Sequence, residues 1–304
     1  MARFASWLVL LFVCTSLCFG QQSVSLRTHT LQAPYIDQGL QNRWWDYGGS
    51  AIINTNKHIR LTSDQPSLQG YLWSRLPLSA PNWEVEFEFK VDGKGGHLYG
   101  DGFAVFLTKQ RAQIGPVFGF MDKFEGLGIF FDTYKNSHKS GRNFPYVMAM
   151  QGDGTTSYDF GEDGFSNQIA GCEADFRAKS FPTKARITYY RDSFLELQLQ
   201  YTDFNEWTHC FTLNNVTLPP VFYLGFSAHT GDVSDNHDII SVETKSLITV
   251  PNTKPGVPQT SSFISKKTIW SVFMFYIKLA MFCGVVCICV LGYRMMQRSN
   301  NKRF

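Results

Sequence analysis

The stretch best equipped for chemistry is residues 128–136, Gly-Ile-Phe-Phe-Asp-Thr-Tyr-Lys-Asn. Asp132, Tyr134 and Asn136 place a carboxylate, a backbone carbonyl and an amide oxygen at every second residue. A hard cation such as Ca²⁺ takes about six to eight oxygens at roughly 2.3–2.6 Å, and alternating loop oxygens are one way to supply them. The spacing is not that of an EF-hand loop, and Asp and Asn also serve simply to form turns. A second set of carboxylates lies at Glu84, Glu86 and Glu88, alternating with Val85, Phe87 and Phe89. An antiparallel strand with one wet face has this pattern. The row admits two chemistries: a solvated face, or a glycosidase, whose retaining form needs two carboxyls about 5–5.5 Å apart with one kept protonated. No acid-tuning pattern surrounds the row, which favours the solvated face.

Both sets need strands to hold them. Ile129, Phe130 and Phe131 form a short apolar run, the mark of a strand buried in a sheet, so Asp132 stands at a strand end. From residue 31 to 248 the pattern is almost all strand, with about twelve candidates separated by Gly, Asp and Asn turns and no convincing amphipathic helix. Many short strands with turn signals predict an all-β sandwich or barrel, and this length suits a jelly roll better than an immunoglobulin fold. The 27 Phe and 13 Tyr suit a large sandwich core. The net charge of +3 in 304 residues, with most of the excess near the C-terminus, argues against a nucleic-acid partner.

The flanking segments speak of compartment. Arg3, the apolar run 7–19, and small residues Cys18 and Gly20 predict a signal peptide over residues 1–20. Seven cysteines then sort themselves. Cys14 and Cys18 leave with the signal, Cys283, Cys287 and Cys289 lie in a C-terminal apolar span, and Cys172 and Cys210 are left to pair in an oxidising lumen. No spacing typical of zinc occurs. Residues 250–267, with Pro251, Pro255 and Pro258, read as a short linker without heptads. Residues 268–293 predict one transmembrane helix, roughly 39 Å long at the usual rise. Lys278 interrupts it, either snorkelling to an interface or pairing inside the membrane. Arg294, Arg298, Lys302 and Arg303 place the tail, 294–304, in the cytoplasm. Asn215-Val216-Thr217 is an N-glycosylation acceptor.

Several stretches together resemble the L-type (legume-lectin-like) cargo lectins of the early secretory pathway, in their vesicular integral-membrane branch. They are Trp83-Glu84-Val85-Glu86, Gly100-Asp101-Gly102, residues 128–134, Ala170-Gly171-Cys172, Asn205-Glu206-Trp207 with Cys210, and residues 231–238. The resemblance covers nearly all of residues 31–248 and implies a luminal lectin domain over 28–249. It implies a concanavalin-like sandwich of a concave and a convex antiparallel sheet. It implies a calcium site of Asp132, the Tyr134 carbonyl, Asn136 and Asp163, in which the ion clamps the loop and aims Asn136. It implies high-mannose glycoproteins as ligands, bound by Asp101, Asn136, Gly231, Asp232 and Val233, with a cis Gly100–Asp101 peptide.

Two positions depart from that family's pattern. Ser157-Tyr158-Asp159 is followed by Phe160 where the family has a mannose-contacting histidine, and Tyr71 replaces a small serine. Phe160 offers a stacking face but no hydrogen bond, a loss of roughly 1–3 kcal/mol. His229, two residues before Gly231, is a candidate substitute; a loop histidine is otherwise solvated. The tail ends Asn301-Lys302-Arg303-Phe304, similar to coat-binding sorting signals or simply a positive membrane flank. Three readings follow. One is a calcium-dependent mannose-binding cargo receptor cycling through endoplasmic reticulum, intermediate compartment and Golgi membranes. The second is a lectin-fold protein with weakened or lost sugar binding that works through cargo protein or a related lectin. The third is a glycosidase on the Glu84 face.

Overall fold

The computed structural model describes residues 23–137 and 141–248. The expected signal peptide, linker, transmembrane helix and tail lie outside the described residues. Among the described residues no helix is long and apolar enough to cross a membrane.

Fifteen strands form among the described residues: β1 (Ser23–Ser25), β2 (Trp45–Gly49), β3 (Ile52–Asn54), β4 (His58–Thr62), β5 (Gln69–Ser74), β6 (Asn82–Asp92), β7 (Gly102–Thr108), β8 (Glu125–Asp132), β9 (Tyr146–Asp153), β10 (Gln168–Glu173), β11 (Thr183–Tyr190), β12 (Phe194–Gln200), β13 (Thr208–Asn214), β14 (Tyr223–His229) and β15 (Asn236–Leu247). They make two antiparallel sheets. One runs β13-β12-β11-β6-β15-β4-β3, with β1 paired to β15, and the other runs β10-β9-β8-β7-β14-β5-β2.

Sequence period explains the layering. β6 alternates strictly: Trp83, Val85, Phe87, Phe89 and Val91 are buried, and the residues between them are only partly covered. Its apolar row meets Phe103 and Phe131 of the second sheet, with Phe89–Phe103 and Phe89–Phe131 ring centroids 4.9 Å and 5.2 Å apart. β7 does not alternate, because every one of its residues is buried. The reason is a second core on the outer face of the seven-stranded sheet. There Trp73, Phe106 and Phe130 are roofed by Phe118, Phe120 and Phe124 from the connection between β7 and β8, with Trp73–Phe120 centroids 4.7 Å apart. A strand covered on both faces reads as a continuous apolar run.

The two sheets are joined along both flanks. Cys172 on β10 and Cys210 on β13 form a disulfide between the outermost strands on one side, with Cα atoms 5.3 Å apart. On the other side β2 passes directly into β3 through Ser50 and Ala51, a turn opened by Gly49 at φ 65°. One end of the seven-stranded sheet concerns function most. There Gly102 pairs with both Asp132 and His229, and Asp132 pairs with Tyr146. The starts of β7 and β9 and the ends of β8 and β14 therefore share one row.

Candidate ligand-binding site

Asp101 immediately precedes β7 and is stitched into that row. The Gly100–Asp101 peptide is cis, as the resemblance implies. The Asp101 N–H donates to the His229 carbonyl at 3.2 Å, and its own carbonyl accepts from the Thr133 N–H at 2.9 Å and Oγ1 at 3.1 Å. The side chain stays 29 % exposed, with Oδ2 2.8 Å from His229 Nδ1. A Cβ at Gly231 would lie 3.3 Å from both carboxylate oxygens, so glycine there leaves the carboxylate open. A Cβ at Gly100 would meet the Tyr134 Cβ at 2.7 Å and the Val233 Cγ2 at 3.0 Å. The backbone at Gly100 is thus where the 134 loop and the 233 loop converge. Asp232 is exposed between Gly231 and Val233.

Beside this opening lie two buried carboxylates. Asp132 is 4 % exposed and Asp163 1 %. Asp132 Oδ1 accepts the Tyr134 N–H at 3.0 Å. Asp163 Oδ1 accepts the Asn136 N–H at 2.9 Å and its Nδ2 at 2.7 Å, and Oδ2 accepts the Ser137 N–H at 3.1 Å. Arg142 Nη1 donates at 3.0 Å to the Asp163 backbone carbonyl. Burial, and then the charge of Asp163, push the Asp132 carboxyl well above the ordinary carboxylate range, and Asp101 adds to the effect. Burial together with the same two carboxylates also raises the Tyr158 phenol. Negative charge concentrated out of water is unfavourable unless a proton or a cation joins it.

The donor set that the resemblance implies has the chemistry a hard cation takes. It comprises the carboxylates of Asp132 and Asp163, the Tyr134 carbonyl and the Asn136 amide, all oxygen. Only two are carboxylates, and among the described residues no group of three or more His, Cys, Asp or Glu is placed to hold a metal. The Asn136 amide nitrogen is directed at Asp163. A cation would have to share that oxygen.

The two departures fall differently. Phe160 is 46 % exposed, with its ring edge-on to buried Tyr158 at 5.3 Å. Tyr158 in turn feels the charges of Asp132 and Asp163, so Phe160 borders the site. Tyr71 lies over Gly48 of β2, where any Cβ would collide with its ring. Its bulk is absorbed by the neighbouring edge strand. The Glu row belongs to a wet, salt-bridged face: Glu86 is held by Arg186 Nη2 at 2.8 Å and Lys184 at 3.7 Å, and Lys184 also reaches Glu88 at 4.0 Å. Arg186 stacks on Trp207 at 3.9 Å. The glycosidase reading lapses, because the row's middle carboxylate is committed to two cations.

Residues 231–238 do more than line a rim. Asp235, fully buried, is gripped by Arg177 through two bonds of 2.7 Å. Arg177 stacks on Tyr99 at 3.6 Å and donates to the Gly95 carbonyl at 2.9 Å. Ser234 Oγ donates to Asp64, and Asn236 Nδ2 to Asp92. His237 is buried against Thr62 Oγ1 at 2.7 Å, and Arg60 clasps Asp238. This network ties the loops ahead of Asp101 and after His229 into one body. The dense polar run leading into β15 is the sequence signal for it, and nothing in the sequence marks Arg177 as its partner.

The fold and the site define a sugar-binding class: the chain belongs to the legume-like lectin family, whose sequence model matches residues 22–254. Among its relatives, the vesicular integral-membrane protein VIP36 of Mus musculus is 37 % identical over 319 residues, spanning 96 % of this chain and 88 % of that protein. The crystal structure of the VIP36 exoplasmic/lumenal domain in its Ca²⁺/Man-bound form superposes with a TM-score of 0.72 at 40 % identity, covering 76 % of this chain and 95 % of that one. The Ca²⁺/Man3GlcNAc-bound form of the same domain gives 0.70, also at 40 % identity, over 76 % and 93 %.

Proposed function

We propose that the protein is a calcium-dependent lectin for high-mannose N-glycans on glycoproteins. One observation carries this reading: two buried carboxylates, Asp132 and Asp163, lie beside the solvent-facing carboxylate of Asp101. Asp132, the Tyr134 carbonyl, Asn136 and Asp163 would hold Ca²⁺, which supplies the positive charge the buried pair lacks and fixes the loop. The ion does no bond-breaking. Asp101 would accept sugar hydroxyl protons through charge-assisted hydrogen bonds, the stronger kind. Asn136 would donate, and Gly231, Asp232 and Val233 would shape the rim. The VIP36 lumenal domain, whose structures include forms bound to Ca²⁺ and mannose, supports the reading.

The wider role rests on the resemblance and on the character of the flanking segments. It is a cargo receptor of the early secretory pathway, made of signal peptide 1–20, luminal domain 28–249, linker 250–267, membrane helix 268–293 and cytoplasmic tail 294–304. The tail would meet vesicle coat proteins. Asn215, exposed after β13, would carry a glycan. Phe160 supports a second reading, in which sugar affinity is weakened and protein partners matter more.

Glycan-array binding of the detergent-solubilised chain, with and without EDTA, tests the proposal. Mannose-type binding that disappears with EDTA supports the first reading, and no glycan binding under either condition favours the second.

A further inference from the structure

Resting on the lectin reading above, we infer that His229 is a sugar-contacting, specificity-determining residue. Its ring nitrogen Nε2 would take a hydroxyl proton next to the one Asp101 takes.

The argument starts from the 2.8 Å contact between His229 Nδ1 and Asp101 Oδ2. A carboxylate only accepts, so Nδ1 carries a proton, and Nε2 is the ring nitrogen left for a ligand, an acceptor in the uncharged imidazole. The tautomer is set by the residue assigned to hold the sugar. The geometry is anchored twice, since the Asp101 N–H also donates to the His229 carbonyl and Gly102 pairs with His229 in register. Both side chains reach solvent, His229 at 27 % and Asp101 at 29 % exposure. Among the described residues Nε2 has no protein partner. The opening left by the missing Cβ of Gly231 lies against the same carboxylate. Asp101 and His229 therefore present two acceptors side by side, which suits two neighbouring hydroxyls of a hexose. The other candidate side chains give less: Phe160 has no hydrogen-bonding group, and Tyr71 lies across Gly48. His237 and Asp132, the ionisable neighbours behind the pair, are both buried.

The test is calorimetry of methyl α-mannoside on the full chain in detergent with excess Ca²⁺, comparing wild type, Asp101→Asn, His229→Ala and His229→Asn. Asparagine can keep a donor where Nδ1 stands but has nothing at Nε2. Loss of one such hydrogen bond corresponds to about a tenfold weakening. We expect that loss in both His229 variants, with unchanged thermal melting, and a larger loss in Asp101→Asn. A set of monodeoxy mannosides adds a second readout. At least one should bind wild type about tenfold more weakly than the parent sugar, and that difference should vanish in His229→Asn. If His229→Asn binds as wild type, the histidine only positions Asp101 or does nothing, and the inference is overturned. If wild type binds no mannoside and Asp101→Asn changes nothing, the lectin reading itself fails and takes the inference with it.

Discussion

Two buried acids, Asp235 and Asp132, are treated differently. Asp235 is fully buried and closed by Arg177, a cation the chain supplies itself. Asp132 is nearly as buried, but its charged neighbour is another acid, Asp163. The guanidinium nearby, Arg142, donates to the Asp163 carbonyl rather than to either carboxylate, and only partly offsets the charge at Asp132. Burial raises both carboxyls; Arg177 pulls Asp235 back down, whereas Asp163 pushes Asp132 further up. An acid with a built-in counter-charge is structural. An acid facing another acid is incomplete until something positive arrives.

The comparison breaks most visibly on the structural side. Asp235→Ala leaves Arg177 buried without its partner, and removing one member of a buried pair costs about 3–5 kcal/mol. Urea denaturation should show it, and a loss below about 1 kcal/mol would mean that the pair is not what holds the loops. On the incomplete side, calcium should stabilise. At a hundredfold excess over its dissociation constant a ligand adds about 2.7 kcal/mol. The melting temperature should rise with Ca²⁺ in wild type and stay flat in Asp163→Asn; a flat wild-type titration would remove the ion from the account.

A smaller effect sharpens the contrast. In EDTA, Asp132→Asn should be as stable as wild type or more stable by about 1 kcal/mol, because a buried charge is removed. In Ca²⁺ the same variant should fall behind. An equal loss under both conditions would show that Asp132 is structural after all.

Acid adds a test with two opposite signs. Burial lowers the His237 imidazole to about 3. The unfolded chain then binds more protons than the fold below the ordinary histidine range, so stability falls as pH drops towards about 3, by at most about 1.4 kcal/mol per pH unit. Asp132 acts the other way in the metal-free protein. Its raised carboxyl keeps a proton in the fold above the ordinary carboxylate range, so lowering pH through that window stabilises. Melting against pH should therefore decline more steeply with Ca²⁺ than with EDTA, and parallel curves would contradict the assignment. The smallest effect belongs to the wet face: Glu86→Gln should change stability by no more than about 1 kcal/mol, since it breaks a partly exposed pair.

Local pattern made some of this readable in advance. The two-residue period of β6 announced its buried and wet faces, and the apolar run before Asp132 announced a strand end. The two cysteines left outside the end segments, Cys172 and Cys210, announced their bond. Other features depended on long-range partners. Arg177 and Asp235 meet across 58 residues with no motif at Arg177. The aromatic roof at Phe118, Phe120 and Phe124 carries no periodic signal and lies wholly in the connection between β7 and β8, packed on an outer face. The pattern predicts about twelve strands and fifteen form among the described residues, because pieces as short as β1 and β3 exist only through their partners. The contact between His229 and Asp101 required knowing that β14 ends beside β7.

The disulfide between β10 and β13 has a consequence for failure. The sandwich is laced at both selvages, by a covalent stitch on one side and by continuous chain through Ser50 and Ala51 on the other. Reduction unpicks only the stitch. The shared core would still hold the layers face to face, while β10, already an outermost strand, would lose its covalent tie to β13 and be the first hem to fray.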